Sequence, residues 1–351
     1  MIKGVSLFAN VGIAETYIKN HNIQIAVANE LLENRAKFHK EMHPQCKTIQ
    51  GDITDDVVFS KVLQASKKAK CDFLIATPPC QGMSLAGKMH ENDPRNSLIK
   101  YVIKLAQELE PTNILIENVP KVLNTYLVHN GEKLKITDFI KNELEPLGYI
   151  INPVVVDASE YGTPQSRKRA IFLISKLAKW ELPPKQEKIT VRDMIEHLPS
   201  LESGESSEIK YHTAKVHNDR HIFFLKQTPT GKTALHNKVH YPKKADGTRI
   251  KGYATTYKRI DWDKPSPTIT MANGSVSSQN NVHPGRLKSD GTYSDARVLT
   301  LKEIFILTGL PNEWTPPEWA SENLIRQVIG EGVPPMLIDS LLSTMPKDTN
   351  K

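Results

Sequence analysis

The chain has 351 residues, of which 39% are hydrophobic and 24% are charged, and its net charge is +7. These values are typical of a soluble globular protein and exclude disordered and collagen-like chains. The length predicts one large domain and a smaller one. Because the sequence contains no apolar run of 18 residues and no signal-peptide pattern, we expect a cytoplasmic protein without a membrane segment.

The first 175 residues alternate short apolar runs with amphipathic stretches. Strands are predicted over 5–8, 23–28, 72–76 and 114–116, and helices over 14–19, 31–43, 57–68 and 97–108. This alternation predicts an α/β fold with a doubly wound, mostly parallel sheet, in which ligands bind beyond the carboxyl ends of the strands. Polar motifs at strand ends are therefore the candidate functional residues.

After residue 177 the regular pattern gives way to Pro-, Ser- and Glu-rich sequence, followed by many His, Lys, Gly and Thr residues. A helical pattern returns near the C terminus and is interrupted at 330–335. We therefore divide the chain into three parts, 1–177, a smaller loop-rich domain over 178–290, and 291–351.

Positive charge is concentrated between Lys232 and Arg259, where eight Lys or Arg residues accompany one acid, Asp246. Such a stretch favours a polyanionic partner such as nucleic acid. A solvated basic surface is the ordinary alternative.

The three cysteines, Cys46, Cys71 and Cys80, are expected to be reduced thiols. Their number is odd and none belongs to a C-x-x-C pair, so neither a disulfide framework nor a bound metal is predicted. Cys80 stands apart because it lies in T-P-P-C-Q-G (77–82), directly after a predicted strand. Prolines restrict the backbone before the thiol and a glycine frees it afterwards, which suits a nucleophile; a buried, inert cysteine is the alternative.

Two further segments place polar side chains beside predicted strands. In I-L-I-E-N-V-P (114–120), Glu117 stands where an apolar strand ends, and a solvent-facing acid is the alternative. In Y-G-T-P-Q-S-R-K-R (161–169), Gln165, Arg167 and Arg169 occupy alternate positions, which in a strand point to one face. A solvated basic turn is the alternative for this segment.

Taken in chain order, these three segments resemble the signatures of the DNA (cytosine-5) methyltransferase family. The resemblance continues at N-E (29–30), G-D-I (51–53), D-P-R (93–95), 297–311 and 327–335. It implies that 1–177 is a catalytic and cofactor-binding domain and that 178–290 is a target-recognition domain. The remainder, 291–351, would carry late motifs and a C-terminal helix that returns to the catalytic domain.

The resemblance implies methyl transfer from S-adenosylmethionine to C5 of a cytosine that is flipped out of duplex DNA. Cys80 is expected to add to C6 of the ring, while Glu117 protonates or hydrogen-bonds N3. Gln165, Arg167 and Arg169 complete the expected catalytic set, with the arginines holding O2 and the surroundings of the thiolate.

The resemblance also implies binding residues and partners. Glu30 is expected on the ribose hydroxyls and Asp52 near the adenine, and the full cofactor set is Phe8, Gly12, Glu30, Asp52, Ile53 and Pro78. The expected DNA contacts are Gln81, Ser84, Lys243, Lys244 and Arg259. The family's usual setting is bacterial restriction-modification, which implies a cognate endonuclease, and we expect a monomer.

Two stretches of the chain, in the first motif and in the closing motif, depart from the family pattern. The family reads acid-L-F-x-G-x-G-G, whereas residues 6–13 read S-L-F-A-N-V-G-I. Asn10 tolerates a left-handed backbone and the β-branched Ile13 does not, so these changes bear on the strength of cofactor binding. In the closing motif, Glu331 stands where the family has asparagine.

Other functions compete with this interpretation. A methyltransferase acting on RNA, such as transfer RNA, shares the chemistry, but the long basic insert favours DNA. A catalytically silent DNA-binding homologue is supported by the altered first motif. A zinc deaminase is excluded, because its P-C-x-x-C motif would need a second cysteine where Met83 stands.

Overall fold

The computed structural model describes residues 1–79, 97–244 and 246–348. Three predicted site residues, Cys80, Gln81 and Ser84, lie outside these ranges. Within the described ranges, no helix has the length and apolar character needed to cross a membrane.

The chain divides into two compact units. Unit 1 comprises Met1–Asp157, Lys168–Lys185 and Leu337–Lys351, and unit 2 comprises Ala158–Arg167 and Gln186–Met336. These limits differ from the predicted ranges, and the assignment of 178–290 to target recognition stays a prediction.

Unit 1 contains a sheet with the strand order β3-β2-β1-β4-β5-β9-β8. Its strands are β1 (Ile2–Leu7), β2 (Ile23–Glu30), β3 (Lys47–Gln50), β4 (Phe73–Ala76), β5 (Asn113–Asn118), β8 (Ile150–Asp157) and β9 (Lys168–Ser175). β1 to β5 pair in parallel, whereas β9 is antiparallel to β5 and β8. The predicted α/β class with a mostly parallel sheet is confirmed.

The strand order places the loops after β1 and β4 at the usual binding position of a doubly wound sheet. From β1 the chain proceeds to β2 and β3 on one side and then returns to β4 on the other side of β1. The strand order therefore reverses between β1 and β4. Ligands of such sheets bind at this reversal, beyond the carboxyl ends of the strands. β4 and β5 are buried along their whole length, because their continuous apolar sequences suit strands covered on both faces.

Helices cover the sheet of unit 1. They are α1 (Glu33–Met42), α2 (Asp56–Ala69), α3 (Ile99–Leu109) and α4 (Ile136–Leu144). The Asp55 side chain caps α2 by accepting hydrogen bonds from the backbone N–H groups of Val57 (2.7 Å) and Val58 (3.1 Å). Apolar side chains of α2 such as Phe59 and Val62 join the core against the sheet.

Two local predictions in unit 1 differ from the structure. The helix expected over 14–19 is instead two short 3-10 segments, Ile13–Glu15 and Ile18–His21. An α-helix is interrupted there because Tyr17, between the segments, has φ −106° and ψ 7°. A hairpin of β6 (Tyr126–His129) and β7 (Glu132–Lys135) was not predicted, although its Asn-Gly turn is a common hairpin signal.

Unit 2 contains less regular structure. Its helices are α5 (Val191–Ile195), α6 (Asp219–Lys226), α7 (Leu301–Thr308) and α8 (Glu322–Glu331), and α9 (Pro335–Leu342) follows. The predicted interruption between the last two helices is confirmed. Buried charges pair within unit 2: Arg297 forms ion pairs with Asp295 and Glu303, each at 2.8 Å.

Candidate active site

The loop after β1 turns sharply through three residues with left-handed backbone. Phe8, Asn10 and Gly12 have φ angles of 58°, 52° and 81°. At Gly12 a side chain is also excluded sterically, because a Cβ atom there would lie 2.1 Å from Nε2 of His43. Ile13 is not among the positive-φ residues and begins a 3-10 segment, so its β-branched side chain meets no backbone penalty.

Glu30, at the end of β2, connects two loops at the carboxyl edge of the sheet, which is the edge where the parallel strands end. Its carboxylate accepts hydrogen bonds from the backbone N–H groups of Asn10 and Leu32, each at 2.9 Å. The residue is buried, with 6% exposure, whereas Leu31 and Leu32 beside it are 53% and 44% exposed. An acidic group therefore lies next to an exposed apolar surface.

The predicted pair after β3 separates into an exposed and a buried residue. Asp52 is exposed, and its carboxylate accepts a hydrogen bond from the backbone N–H of Thr54 at 2.9 Å. The Ile53 side chain is 2% exposed and packs in the core of unit 1. The Ile53 side chain therefore contributes to the core, and its contact with a cofactor stays a prediction.

The segment after β4 is tied to both neighbouring strands. The hydroxyl of Thr77 donates to the carbonyl of Phe8 at 3.0 Å, and the Asn118 amide donates to the carbonyl of Pro78 at 3.1 Å. These bonds fix the last described residues before Cys80 on the carboxyl edge. The contributions of Thr77 and Asn118 were not predicted, although both stand inside the quoted signatures.

Glu117 and Arg169 form an ion pair at this edge. Arg169 Nε lies 2.5 Å from Glu117 Oε1, and the side chains are 13% and 8% exposed. Glu117 is within β5, one residue before its end, and Arg169 is the second residue of β9. Because β9 runs antiparallel to β5, its beginning lies beside the end of β5.

Gln165 and Arg167 contact a different set of residues, within unit 2. Arg167 donates to the backbone carbonyls of Ile269, Gly330 and Glu331, each at 3.1 Å. The Gln165 side chain accepts a hydrogen bond from the N–H of Ile269 at 3.3 Å. β9 begins only at Lys168, so Arg169 is the one member of this set that lies in the strand. The prediction that all three side chains alternate along one strand is therefore wrong.

The basic stretch of unit 2 contains a narrow turn with exposed cations. Lys243 and Lys244 are exposed, and the N–H of Lys244 donates to the carbonyl of Thr248 at 2.8 Å. Tyr241 supports the turn, since the Arg249 guanidinium lies 3.6 Å and Lys243 Nζ 5.0 Å from the centre of its ring.

Arg259, predicted to contact DNA, is instead an interior residue with 0% exposure. Its guanidinium donates to backbone carbonyls of four residues, Leu225, His283, Ser294 and Asp295. This corrects the prediction, because a fully buried guanidinium held by carbonyls offers no surface to a phosphate. The charge of Arg259 serves the packing of an irregular domain.

Similarity to solved structures identifies the fold. A prophage-encoded Escherichia coli protein, assigned as a DNA modification methyltransferase, matches with a TM-score of 0.69, at 21% identity over 98% of each chain. Spodoptera frugiperda DNMT2 matches with a TM-score of 0.67, at 16% identity over 98% of this chain and 99% of that one. The fold is that of the S-adenosylmethionine-dependent methyltransferases.

Sequence comparisons narrow this class to a family. The profile of the C-5 cytosine-specific DNA methylases matches residues 2–347. The type II methyltransferase M1.HgaI of Avibacterium volantium is 48% identical over 97% of each chain. M1.HphI of Haemophilus parahaemolyticus is 28% identical over 91% of this chain and 84% of its own. The chain belongs to the C-5 cytosine-specific DNA methylase family and is a DNA (cytosine-5) methyltransferase.

Proposed function

We propose that this methyltransferase uses Cys80 as its nucleophile and Glu117 and Arg169 to hold the target cytosine, within a restriction-modification system. The observation that carries the proposal is the ion pair of Glu117 and Arg169 at the carboxyl edge of the sheet. Beside it, Asn118 holds Pro78, which precedes Cys80 by two residues. An acid, a cation and the segment leading to a thiol are thus assigned to one edge.

We propose that S-adenosylmethionine is the cofactor and that it binds at the loops after β1, β2 and β3. The described residues fit an adenosine: Glu30 is an acid suited to ribose hydroxyls, and exposed Leu31 and Leu32 offer an apolar surface for a purine ring. The left-handed loop at Phe8 and Gly12 allows a ligand to approach the backbone closely. When bound, S-adenosylmethionine supplies the methyl group that C5 receives.

The ion pair suits recognition of a cytosine edge. The ring presents an acceptor at O2 and a donor at its 4-amino group, on either side of N3. Arg169 would donate to O2, while the Glu117 carboxylate accepts from the amino group and stabilises a proton at N3. Contacts with the base then replace the contact between the two side chains.

Covalent activation makes C5 nucleophilic. The Cys80 thiolate forms a bond to C6, and the electrons of the C5–C6 double bond become available at C5 for the incoming methyl group. Loss of the C5 proton and cleavage of the bond between sulfur and C6 then restore the aromatic ring and the thiolate. Glu117 and Arg169 stabilise the charge that develops on the ring during these steps.

For DNA binding we propose the turn of Lys243 and Lys244, with Gln81 and Ser84 contacting the opened duplex. The two lysines are exposed, which suits phosphate contacts. The names of the relatives support a type II restriction-modification setting with a cognate endonuclease. We propose that the enzyme acts as a monomer on duplex DNA.

Radiolabelled transfer tests the proposal most directly. The protein is incubated with S-adenosylmethionine carrying a tritiated methyl group and with either duplex DNA or transfer RNA. We expect label in DNA alone, and sequencing of methylated cytosines in host DNA then identifies the site. Label in RNA alone, or in neither polymer, would overturn the proposal.

A mechanism-based duplex tests the nucleophile separately. In DNA containing 5-fluorocytosine, C5 carries fluorine and cannot lose a proton after methylation, so the bond between Cys80 and C6 persists. We expect a covalent complex that survives denaturing electrophoresis and is absent for Cys80→Ser. A complex of equal yield with Cys80→Ser would contradict the assignment.

A further inference from the structure

Unit 1 contains a cluster of three metal-ligand side chains next to the loop after β1. The potential ligand atoms of Glu15, His39 and His43 all lie within 4.8 Å of one another. Glu15 and His39 are 6% and 0% exposed, and His43 is half-buried. Since His39 and His43 are four residues apart at the end of α1, their rings lie on one face, with centroids 4.7 Å apart.

The two buried members face each other with atoms that lack a hydrogen-bond partner. His39 Nε2 and Glu15 Oε2 are 3.5 Å apart, and both are unsatisfied among the described residues. That distance exceeds the range of about 2.7–3.2 Å for a hydrogen bond. Adjacent ligands of a tetrahedral zinc ion, with bonds of about 2.0–2.2 Å, lie roughly 3.3–3.6 Å apart.

The outer atoms of the same side chains are all hydrogen-bonded. His39 Nδ1 lies 2.8 Å from the hydroxyl of Thr48, and the hydroxyl of Ser6 donates to Glu15 Oε1. His43 bonds the backbone of Val11. In the tautomer whose Nδ1–H donates to Thr48, the lone pair of His39 Nε2 points toward Glu15. Metal-binding histidines and carboxylates in proteins are oriented by outer partners of this kind.

A pocket adjoins the cluster and gives an ion a route to it. Besides Glu15 and His43, the pocket is lined by Lys19, Gln24 and Cys46. It also leaves room for water as a further ligand, which a set of three protein ligands requires.

We propose that Glu15, His39 and His43 bind a divalent transition-metal ion of the zinc class. Imidazole and carboxylate ligands suit such an ion, and its charge would satisfy the two facing buried atoms. The bound ion would fasten the end of α1 to the loop around Gly12, whose backbone packs against the His43 ring. No metal was predicted from the sequence, because that prediction rested on the spacing of the cysteines. The fold, and not the local sequence, brings Glu15 to the two histidines.

Zinc titration of the full-length protein tests this site. After dialysis against a chelator, Zn²⁺ is added and binding is measured by calorimetry. We expect one ion per chain, and affinity reduced by roughly 100-fold or more in His43→Ala and in Glu15→Gln. The control is His129→Ala, because His129 also lies near an acid in unit 1, 3.4 Å from Glu143, yet belongs to no metal-ligand cluster among the residues that the structure describes.

Two further readouts keep the test independent of folding defects. His43 is half-buried beyond the end of α1, so His43→Ala carries the test if Glu15→Gln does not fold. Zn²⁺ should raise the thermal unfolding midpoint of the wild type and His129→Ala, but not of His43→Ala. Absence of wild-type binding, or equal binding by His43→Ala, would overturn the proposal and favour a buried water molecule between Glu15 and His39.

Discussion

Arg169 Nε lies 2.5 Å from Glu117 Oε1, which brings together a cation from β9 and a carboxylate from β5 where the parallel strands end. Both side chains are largely buried, so each depends on the other for charge compensation. A ligand that replaces this contact must therefore offer an acceptor to Arg169 and a donor to Glu117. The edge of cytosine offers both.

The first prediction concerns the carboxylate of the pair. Glu117→Gln keeps the size of the side chain but removes its charge and its capacity to stabilise a proton at N3, so single-turnover methylation should fall by about 10²- to 10⁴-fold. DNA affinity should remain nearly unchanged. Glu132→Gln, on an exposed strand of the same unit, is the matched control. Wild-type turnover by Glu117→Gln would remove Glu117 from the mechanism.

The second prediction separates two neighbouring arginines. Arg167→Lys loses hydrogen bonds to buried carbonyls at the end of α8, so the protein should be destabilised by about 2–3 kcal/mol. Arg169→Lys, at a less buried position, should lower turnover with little loss of stability. Thermal unfolding and single-turnover kinetics of both variants check this contrast. Equal effects on both measurements would contradict the separation of roles.

The third prediction compares two cysteines. Cys80→Ser should abolish methylation while DNA binding persists, because the thiolate forms a bond to the base but contributes little to affinity. Cys71→Ser should methylate at a rate near that of the wild type. Burial raises the pKa of the Cys71 thiol to about 11, which leaves little thiolate at neutral pH. Turnover assays and DNA-binding titrations distinguish the variants.

The fourth prediction concerns electrostatic binding. If Lys243 and Lys244 contact phosphates, replacing both with glutamine should reduce the slope of log affinity against log salt by about 1.8. Replacing two exposed lysines of α2, Lys61 and Lys68, is the control and should leave the slope unchanged. Identical slopes for the two double variants would place the phosphate contacts elsewhere.

The fifth prediction concerns acid stability. Burial lowers the pKa of His283 from 6.5 to about 3, and its Nδ1 accepts a hydrogen bond from the N–H of Gly285 at 3.0 Å, so the folded ring stays neutral. Below pH 6.5 the unfolded chain binds a proton that the folded chain does not. The free energy of unfolding should therefore decrease as the pH is lowered. At roughly pH 5.5 this residue should account for a loss of about 1.4 kcal/mol relative to its contribution at high pH.

Urea unfolding between neutral pH and about pH 5 measures this effect. His283→Asn retains an acceptor for Gly285 and should show a flatter profile. Glu303 contributes in a lower range. Burial opposes its charge, but the ion pair with Arg297, together with the other polar groups around the carboxylate, outweighs burial and lowers the pKa of this carboxyl from 4.5 to about 2. Its stabilisation is therefore lost only as pH falls below 4.5. Parallel profiles for wild type and His283→Asn would contradict the role of His283.

The central strands and the order of the site motifs were predictable because their signals are local. Continuous apolar runs identified β4 and β5, and the segment containing Glu117 was located at a strand end within one residue. The predicted helix over 14–19 was wrong, because the backbone at Tyr17 departs from helical geometry and separates two short 3-10 segments. The hairpin after β5 was missed although its turn carried a local signal.

By itself, the sequence determined the α/β class, the family and the chain order of the chemical groups, since these depend on periodicity and on motifs read along the chain. Only the tertiary structure decided which groups meet. It paired Arg169 with Glu117, directed Arg167 to the end of α8, buried Arg259, and brought Glu15 to His39 and His43. The physical reason is that contacts between distant residues depend on strand order and packing, which spacing along the chain does not encode.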